Sequence, residues 1–231
     1  MPAEKRDAAQ AAQETEIYVE GYNKSTIQDH AAELEAFKQS CQQRDQALLQ
    51  ALTPEEFERY EMNTTPAGTE LARRTIGMQP TDDEFQQMFR IAYTNWVDTG
   101  GVYGRWRASP VPREQIVAAD QQMNESLKSA LGPDRFLDYQ MAVSGTGQQM
   151  RNFAARFQLQ RETMAQAFQL QTQIDQLSRT AVRTANPDST TGVPSPPPQV
   201  PDVQSQLQQI LGPELWQDWM LGKDLRVNLD P

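Results

Sequence analysis

Apolar residues recur along most of this chain at the three- and four-residue spacings of an amphipathic helix. Runs of alternating β-branched and polar residues, which would indicate strands, do not occur. The pattern therefore predicts an all-α protein. The clearest apolar stripe comprises Ile27, Ala31, Leu34, Phe37, Cys41, Leu48 and Leu52.

One short motif occurs three times along the chain. It consists of Leu, a Thr or Gly, Pro, an acidic residue, and aromatic residues three and six positions after the Pro. We call each occurrence a head; the heads begin at Leu52, Leu131 and Leu211, which are 79 and 80 residues apart. After the first two heads the apolar positions stay in register as far as Phe89 and Phe168. The sequence therefore predicts elongated helical repeats, with two full copies and a truncated third head.

Each head has the chemistry of a helix start. Thr53 is the predicted N-cap, Pro54 the first helical residue and Glu56 the partner that completes a capping box. In the other two heads Gly132 and Gly212 replace the Thr, and Gly favours the end of the preceding helix.

Further signals divide the rest of each repeat. Breaks are expected at residues 63–67 and 143–146, and the stretch 80–84 predicts a stop followed by a second capping box. In the second copy the next helix is long, and its apolar residues have the alternating spacing of a short coiled-coil-like seam. These residues are Ala167, Leu170, Ile174, Leu177 and Ala181.

Glycine and proline mark the boundaries between these segments. Residues 99–113 are rich in both, and residues 186–201 are rich in Pro, as expected of an extended linker. The predicted organisation is an N-terminal polar segment (1–25), helical repeat 1 (26–98), a Gly/Pro connector (99–113), helical repeat 2 (114–185), a Pro-rich linker (186–201) and a truncated third repeat head (202–231) that docks on the body.

The net charge of −10 excludes several classes of partner. A nucleic-acid binder needs a basic surface, and so does a protein that adheres to anionic membranes. No apolar run is long enough for a membrane span or an export signal as the chain stands. We therefore expect a cytoplasmic location, or a periplasmic or envelope location if an export signal precedes Met1.

Catalytic chemistry has few candidate residues. Cys41 and His30 are the only cysteine and histidine, and on one helix they would be roughly 16 Å apart, too far for a nucleophile–base pair. Two such residues cannot build a zinc site, and helix capping accounts for the acidic stretches. We predict no catalytic residue, no metal, no cofactor and no small-molecule ligand.

Two places are candidates for binding a partner. The connector combines glycines with two cations and two aromatic residues, although the aromatic residues can also pack back on the helices. The third head carries two Trp on nearly one helical face, which predicts that it docks on the body, or binds a partner if it stays free. The candidate partner-binding residues are Tyr103, Arg105, Trp106, Arg107, Trp216 and Trp219.

The heads, with Gln79-Pro80-Thr81-x-x-Glu84-Phe85 between them, resemble an uncharacterised family of bacterial helical proteins with L-T-P-E-E-Y and L-G-x-E-R-Y repeats. The resemblance covers roughly residues 30–225 and implies a helical fold without catalytic residues; many of those proteins begin with an export signal. The stretch Thr53-Pro54-Glu55-Glu56 is more loosely similar to the L-T-x-x-Q helix start of Spy-like periplasmic chaperones.

These observations favour a non-catalytic helical interaction or scaffold protein, with chaperone-like client binding as one form of it. Its partner would be another protein or a second copy of the chain. Met and Phe residues such as Met88 and Phe168 would either contact the partner or form the core. The alternative is an accessory subunit or a helical enzyme that uses carboxylates alone.

Overall fold

The computed structural model describes Lys5 and residues 30–101, 111–184 and 200–227 of the chain. This part of the chain is helical and contains no strand, which confirms the predicted all-α fold class. The helices are α1 (His30–Ala51), α2 (Pro54–Thr64), α3 (Pro66–Thr75), α4 (Asp82–Asp98), α5 (Arg113–Val143), α6 (Gly145–Phe157), α7 (Arg161–Thr184), α8 (Val200–Leu211) and α9 (Pro213–Val227).

The helix boundaries at the heads lie where the local sequence predicts them. The Thr53 hydroxyl accepts a hydrogen bond from the N–H of Glu56, and the Glu56 carboxylate accepts one from the N–H of Thr53. A second full capping box starts α4 at Thr81. Gly132, with φ 76°, interrupts α5, and Gly212, with φ 78°, separates α8 from α9. Both glycines adopt the left-handed backbone that ends a helix at little cost.

The two breaks that follow the first two heads are each a single residue. Thr65 separates α2 from α3, and Ser144, 79 residues later, separates α5 from α6. Each hydroxyl accepts a hydrogen bond from the N–H three residues on, that of Gly68 and that of Gly147. The breaks expected at 63–67 and 143–146 are therefore correct in position but too long.

The same spacing relates the next two turns. Gln79, before α4, and Gln158, before α7, have left-handed φ values of 51° and 54°. The helices then start at Asp82 and at Arg161, again 79 residues apart. A residue with a side chain in this backbone region costs about 1 kcal/mol relative to Gly. The chain therefore keeps the same strained turn in both places.

The chain divides into two compact units, Met1–Phe136 (unit 1) and Leu137–Pro231 (unit 2). The division falls inside the second repeat predicted from the sequence. In unit 1, α4 buries Met88, Phe89 and Trp96, and the edge of Trp96 meets the ring of Phe37 on α1 with centroids 5.2 Å apart. Phe57 and Tyr60 of α2 pack on the buried Leu48 and Leu52.

The core of unit 2 joins α6 and α7 to α8 and α9. Phe153 of α6 and Phe168 of α7 pack with Leu207 of α8 and Trp219 of α9. Ala167 and Ile174 of the predicted seam belong to this core. Several Met and Phe residues considered as partner contacts are therefore buried, as Met88, Phe89 and Phe168 are.

The helices that meet at Thr65 and Ser144 approach each other more closely than a side chain allows. A Cβ atom added to Gly68 would lie 2.0 Å from the carbonyl oxygen of Met62. A Cβ atom added to Gly147 would lie 2.2 Å from the carbonyl oxygen of Met141. Backbone atoms form both contacts, so no side-chain rotation relieves them.

We expect Gly68→Ala and Gly147→Ala to destabilise the protein by about 3 kcal/mol each, because the added methyl group forces two helices apart. Urea unfolding measures the loss. Gly145→Ala is the matched control, since a Cβ at this first residue of α6 meets nothing within 4 Å. It should be neutral or stabilising by up to about 1 kcal/mol. Equal effects at positions 145 and 147 would contradict the close approach.

Glu84 has two functions at the start of α4. It completes the capping box, and its carboxylate accepts two hydrogen bonds from Arg135, at 2.6 Å from Nε and 2.7 Å from Nη2. These bonds from Arg135 lower the pKa of Glu84 from 4.5 to about 2, with a further contribution from the N–H of Thr81 and in opposition to burial. Since the folded pKa is the lower one, this contribution to stability is complete above about pH 4.5 and is lost as the pH falls towards 2.

We expect Glu84→Gln to destabilise the protein at neutral pH by about 1 kcal/mol, because Gln keeps the capping box and loses the ion pair. Melting temperatures measured down the pH scale should converge for the variant and the wild type as the pH approaches 2. In an Arg135→Gln background the substitution should lose most of its effect. A difference independent of pH would show that the ion pair is not its source.

Candidate functional site

The residues predicted to bind a partner fall in two parts of the chain. Trp219 is 4% exposed, and its Nε1 donates a hydrogen bond to Oε1 of Gln171 at 3.0 Å. Trp216 is half-buried against the same core of unit 2. The Trp219 indole is therefore part of the core, whereas Trp216 keeps an accessible part. The other four, Tyr103, Arg105, Trp106 and Arg107, lie outside the described residues.

Unit 1 contains a groove of about 460 Å³ between α2, α3 and α4. Its walls are mainly apolar, with amide groups and one charge of each sign among them. We call this site the groove. It is lined by Arg59 and Met62 of α2, by Ala72, Thr75 and Ile76 at α3, by Gln79 and Pro80 of the turn, and by Asp82, Phe85 and Gln86 of α4.

Backbone geometry places Ile76 at the groove and leaves its side chain exposed. α3 leaves α2 at Thr65, held close by Gly68, and Ile76 follows its last residue. The left-handed turn at Gln79 then sends the chain into α4. Ile76 is left 72% exposed, more than the other large apolar residues that the structure describes as exposed. Burying an aliphatic side chain of this size would contribute about 1.5–3 kcal/mol.

The two charges of the groove stand on opposite walls. Arg59 belongs to α2, and Asp82 is the first residue of α4. Both side chains are exposed, and among the described residues neither makes an ion pair. Glu58 and Arg90 join the same two helices through hydrogen bonds of 2.6 and 2.9 Å. The walls are thus held together, while the charges of Arg59 and Asp82 remain available.

Beside the groove lies a buried group of charges that we call the ion cluster, formed by Arg44, Asp45, Glu61 and Tyr93. Arg44 is 5% exposed and Glu61 is 2% exposed. Nη2 of Arg44 lies 2.6 Å from Oε2 of Glu61, 2.9 Å from Oδ1 of Asp45 and 2.8 Å from the hydroxyl of Tyr93. That hydroxyl donates to Oδ2 of Asp45 at 3.0 Å. The cluster thereby joins α1, α2 and α4.

The charged groups of the ion cluster stabilise one another. Burial opposes the charge of Arg44, but Glu61, Tyr93 and Asp45 outweigh it and raise the pKa of the guanidinium above its ordinary value. Burial also raises the pKa of the Tyr93 hydroxyl, with Arg44 acting in the opposite direction. The arginine stays charged and the tyrosine neutral across the physiological range. No member of the cluster lines the groove.

Other chemistry is sparse in the described part of the chain. Cys41 is buried on α1. Within the described ranges no three His, Cys, Asp or Glu side chains come together as a metal site would require. None of the helices that the structure describes has both the length and the apolar content needed to cross a membrane.

The sequence analysis did not identify the groove or the ion cluster. For the cluster a signal existed: Arg44 lies between Cys41 and Leu48 at helical spacing, so it occupies the buried stripe of α1. A charge at such a position requires a partner from another helix. For the groove no local signal distinguishes Ile76 from a core residue.

Comparison with known proteins yields no relative from which a function follows. No protein-family model matches the chain, and no curated protein or solved structure matches it either.

We expect Glu61→Leu and Arg44→Met each to destabilise the protein by about 3–5 kcal/mol. Arg44→Met removes the cation that faces the buried Glu61 carboxylate, and Glu61→Leu leaves the buried guanidinium with the more exposed Asp45 as its carboxylate partner. The double variant Arg44→Met/Glu61→Leu should recover much of the loss, since it removes both charges together. Urea unfolding gives the four stabilities of this double-mutant cycle.

The control for this cycle is the exposed pair of Arg73 and Glu70, whose Arg73→Met variant should leave the free energy of unfolding nearly unchanged. Strictly additive losses at Arg44 and Glu61 would mean that the two charges do not depend on each other.

Proposed function

We propose that this chain is a non-catalytic helical interaction protein, and that its groove binds apolar segments of a partner polypeptide. The observation that carries the proposal is the 72% exposure of Ile76 in an apolar groove of about 460 Å³. A cavity of this size lies within the range of known ligand sites and accommodates a few side chains of a partner.

The lining of the groove supports a polypeptide as its occupant. Met62 and Phe85 offer apolar surface, and Met adapts to side chains of different shape. Gln79 and Gln86 supply amides for the polar backbone of a bound segment.

The charges of the groove indicate the order of residues in that segment. An acidic residue of the partner would face Arg59, and a basic residue would face Asp82, on the opposite wall. The preferred segment therefore carries an apolar side chain between an acid and a base.

The head motifs support placing the chain with the bacterial helical proteins that carry L-T-P-E-E-Y repeats. A groove for apolar segments also agrees with the chaperone-like form of this function, because unfolded chains expose such segments. The repeat arrangement itself is part of the proposal; it rests on the caps, the close approaches and the strained turns that recur after 79 residues.

An enzyme that uses carboxylates alone has less support. Catalysis by a carboxylate pair needs groups that reach a substrate in a pocket. The two carboxylates of the ion cluster, Asp45 and Glu61, are hydrogen-bonded to Arg44 and lie outside the groove. The Glu84 carboxylate is occupied by the capping box and Arg135. These contacts favour a structural role for all three.

We expect a fluorescein-labelled peptide with the order Glu-Leu-Phe-Leu-Lys, flanked by Gly and Ser, to bind the protein in a fluorescence anisotropy titration. Ile76→Ser should weaken binding about tenfold, since it removes part of the apolar contact surface. A peptide with Ser in place of its three apolar residues should not bind.

Leu221→Ser is the matched control, because Leu221 is another exposed apolar side chain, 59% accessible, and lies in unit 2. It should bind the peptide like the wild type. An equal loss in both variants, or no binding by the wild type, would refute a site at the groove.

A further inference from the structure

We infer that position 72 decides whether this site is open: Ala72 leaves the groove of unit 1 free, and Arg151 fills the corresponding place in unit 2. The inference rests on the proposed function of the groove and identifies the residue that controls access to it. It also assigns unit 2 a second site for apolar segments that its own side chains close.

The two places correspond through their backbone. Thr65 and Ser144 cap the helices, Gly68 and Gly147 mark the close approaches, and each partner in a pair is 79 residues from the other. The left-handed turns at 79 and 158 have the same separation. These features fix where α3 leaves α2 and where α6 leaves α5. The residues 79 positions after those that line the groove therefore occupy the corresponding places in unit 2.

The side chains at these matched positions differ in charge. Arg59 and Asp82 of unit 1 correspond to Asp138 and Arg161 of unit 2, so the two signs are exchanged. In unit 1 the two charges stand on opposite walls without an ion pair between them. In unit 2 Nη2 of Arg161 donates to Oδ2 of Asp138 at 2.8 Å. The ion pair uses up both charges in unit 2, whereas in unit 1 Glu58 and Arg90 join the walls and the charges of Arg59 and Asp82 stay exposed.

Arg151 contributes volume rather than an ion pair. It corresponds to Ala72, and its side chain is half-buried. Its Nη1 atom is inaccessible to water and has no hydrogen-bond acceptor among the described residues. Burial lowers the pKa of the guanidinium, and no acidic group counteracts the shift. A long apolar stem that carries a poorly paired head is expected where the side chain fills space.

The two units also differ in the apolar residue at this site. Ala155 corresponds to Ile76 and presents only a methyl group at the position where unit 1 has the most exposed of its large apolar side chains among the described residues. Unit 2 therefore differs from unit 1 in three ways: the two matched charges pair with each other, the space is filled and the apolar contact is missing. Each difference lies in a side chain, and the backbone is retained.

The test transfers these side chains between the units of the full-length protein. Isothermal titration calorimetry with the Glu-Leu-Phe-Leu-Lys peptide gives the affinity and the number of peptides bound per chain. Ala72→Arg should weaken binding at least about tenfold, whereas Ala72→Ser, which adds little volume, should bind like the wild type. Position 72 is exposed, so both variants are expected to fold, and their circular dichroism and melting temperatures check this.

The reciprocal variant is Arg151→Ala/Ala155→Ile, which gives unit 2 the side chains of unit 1 at the position that is filled and at the position of the apolar contact. It should raise the number of bound peptides from one to two per chain. Undiminished binding by a folded Ala72→Arg variant would overturn the inference while leaving the proposed function intact. Unchanged stoichiometry in a folded Arg151→Ala/Ala155→Ile variant would overturn the second site. No binding by the wild type would overturn the proposed function and this inference with it.

Discussion

The close approach of α2 and α3 at Gly68 is the constraint on which the rest of unit 1 depends. With the Met62 carbonyl oxygen only 2.0 Å from where a Cβ would lie, α3 has one direction in which to leave α2. That direction carries Ile76 to the groove and brings the chain to the turn at Gln79. The Thr65 hydroxyl secures it by accepting from the Gly68 N–H. A single residue without a side chain thus determines where three helices meet.

The ion cluster fixes the same helices from the buried side. Desolvating Arg44 and Glu61 costs several kcal/mol per charge, and their mutual attraction only offsets that cost. Its value lies in geometry: Arg44 reaches Glu61 on α2 and Tyr93 on α4 from a single position on α1. An apolar core at this point would tolerate several helix arrangements, whereas the hydrogen bonds of the cluster are made in one. The ion cluster therefore holds together helices that form the groove, although none of its members lines the groove.

The structural features that depend on neighbouring residues could be predicted from the sequence. The capping boxes at Thr53 and Thr81 and the helix stops at Gly132 and Gly212 follow from residues within one turn of each other. The groove does not, because residues from α2, α3 and α4 build it and no segment alone specifies their meeting. Arg44 shows the intermediate case: its place on the apolar stripe marks it as buried, but its partners are 17 and 49 residues away.

The two units share the backbone features that recur after 79 residues but differ in the side chains beside them. Positions 68 and 147 admit only Gly, and the caps at 65 and 144 need a short hydroxyl, so these residues fix the backbone. Positions 72 and 151 are under no such backbone constraint, and they carry Ala and Arg respectively. An exchange at these positions changes the volume of a side chain and leaves the backbone contacts at Gly68 and Gly147 intact. If the groove binds a partner as proposed, its specificity depends on the positions at which the two units differ, and the shared backbone depends on the positions at which they agree.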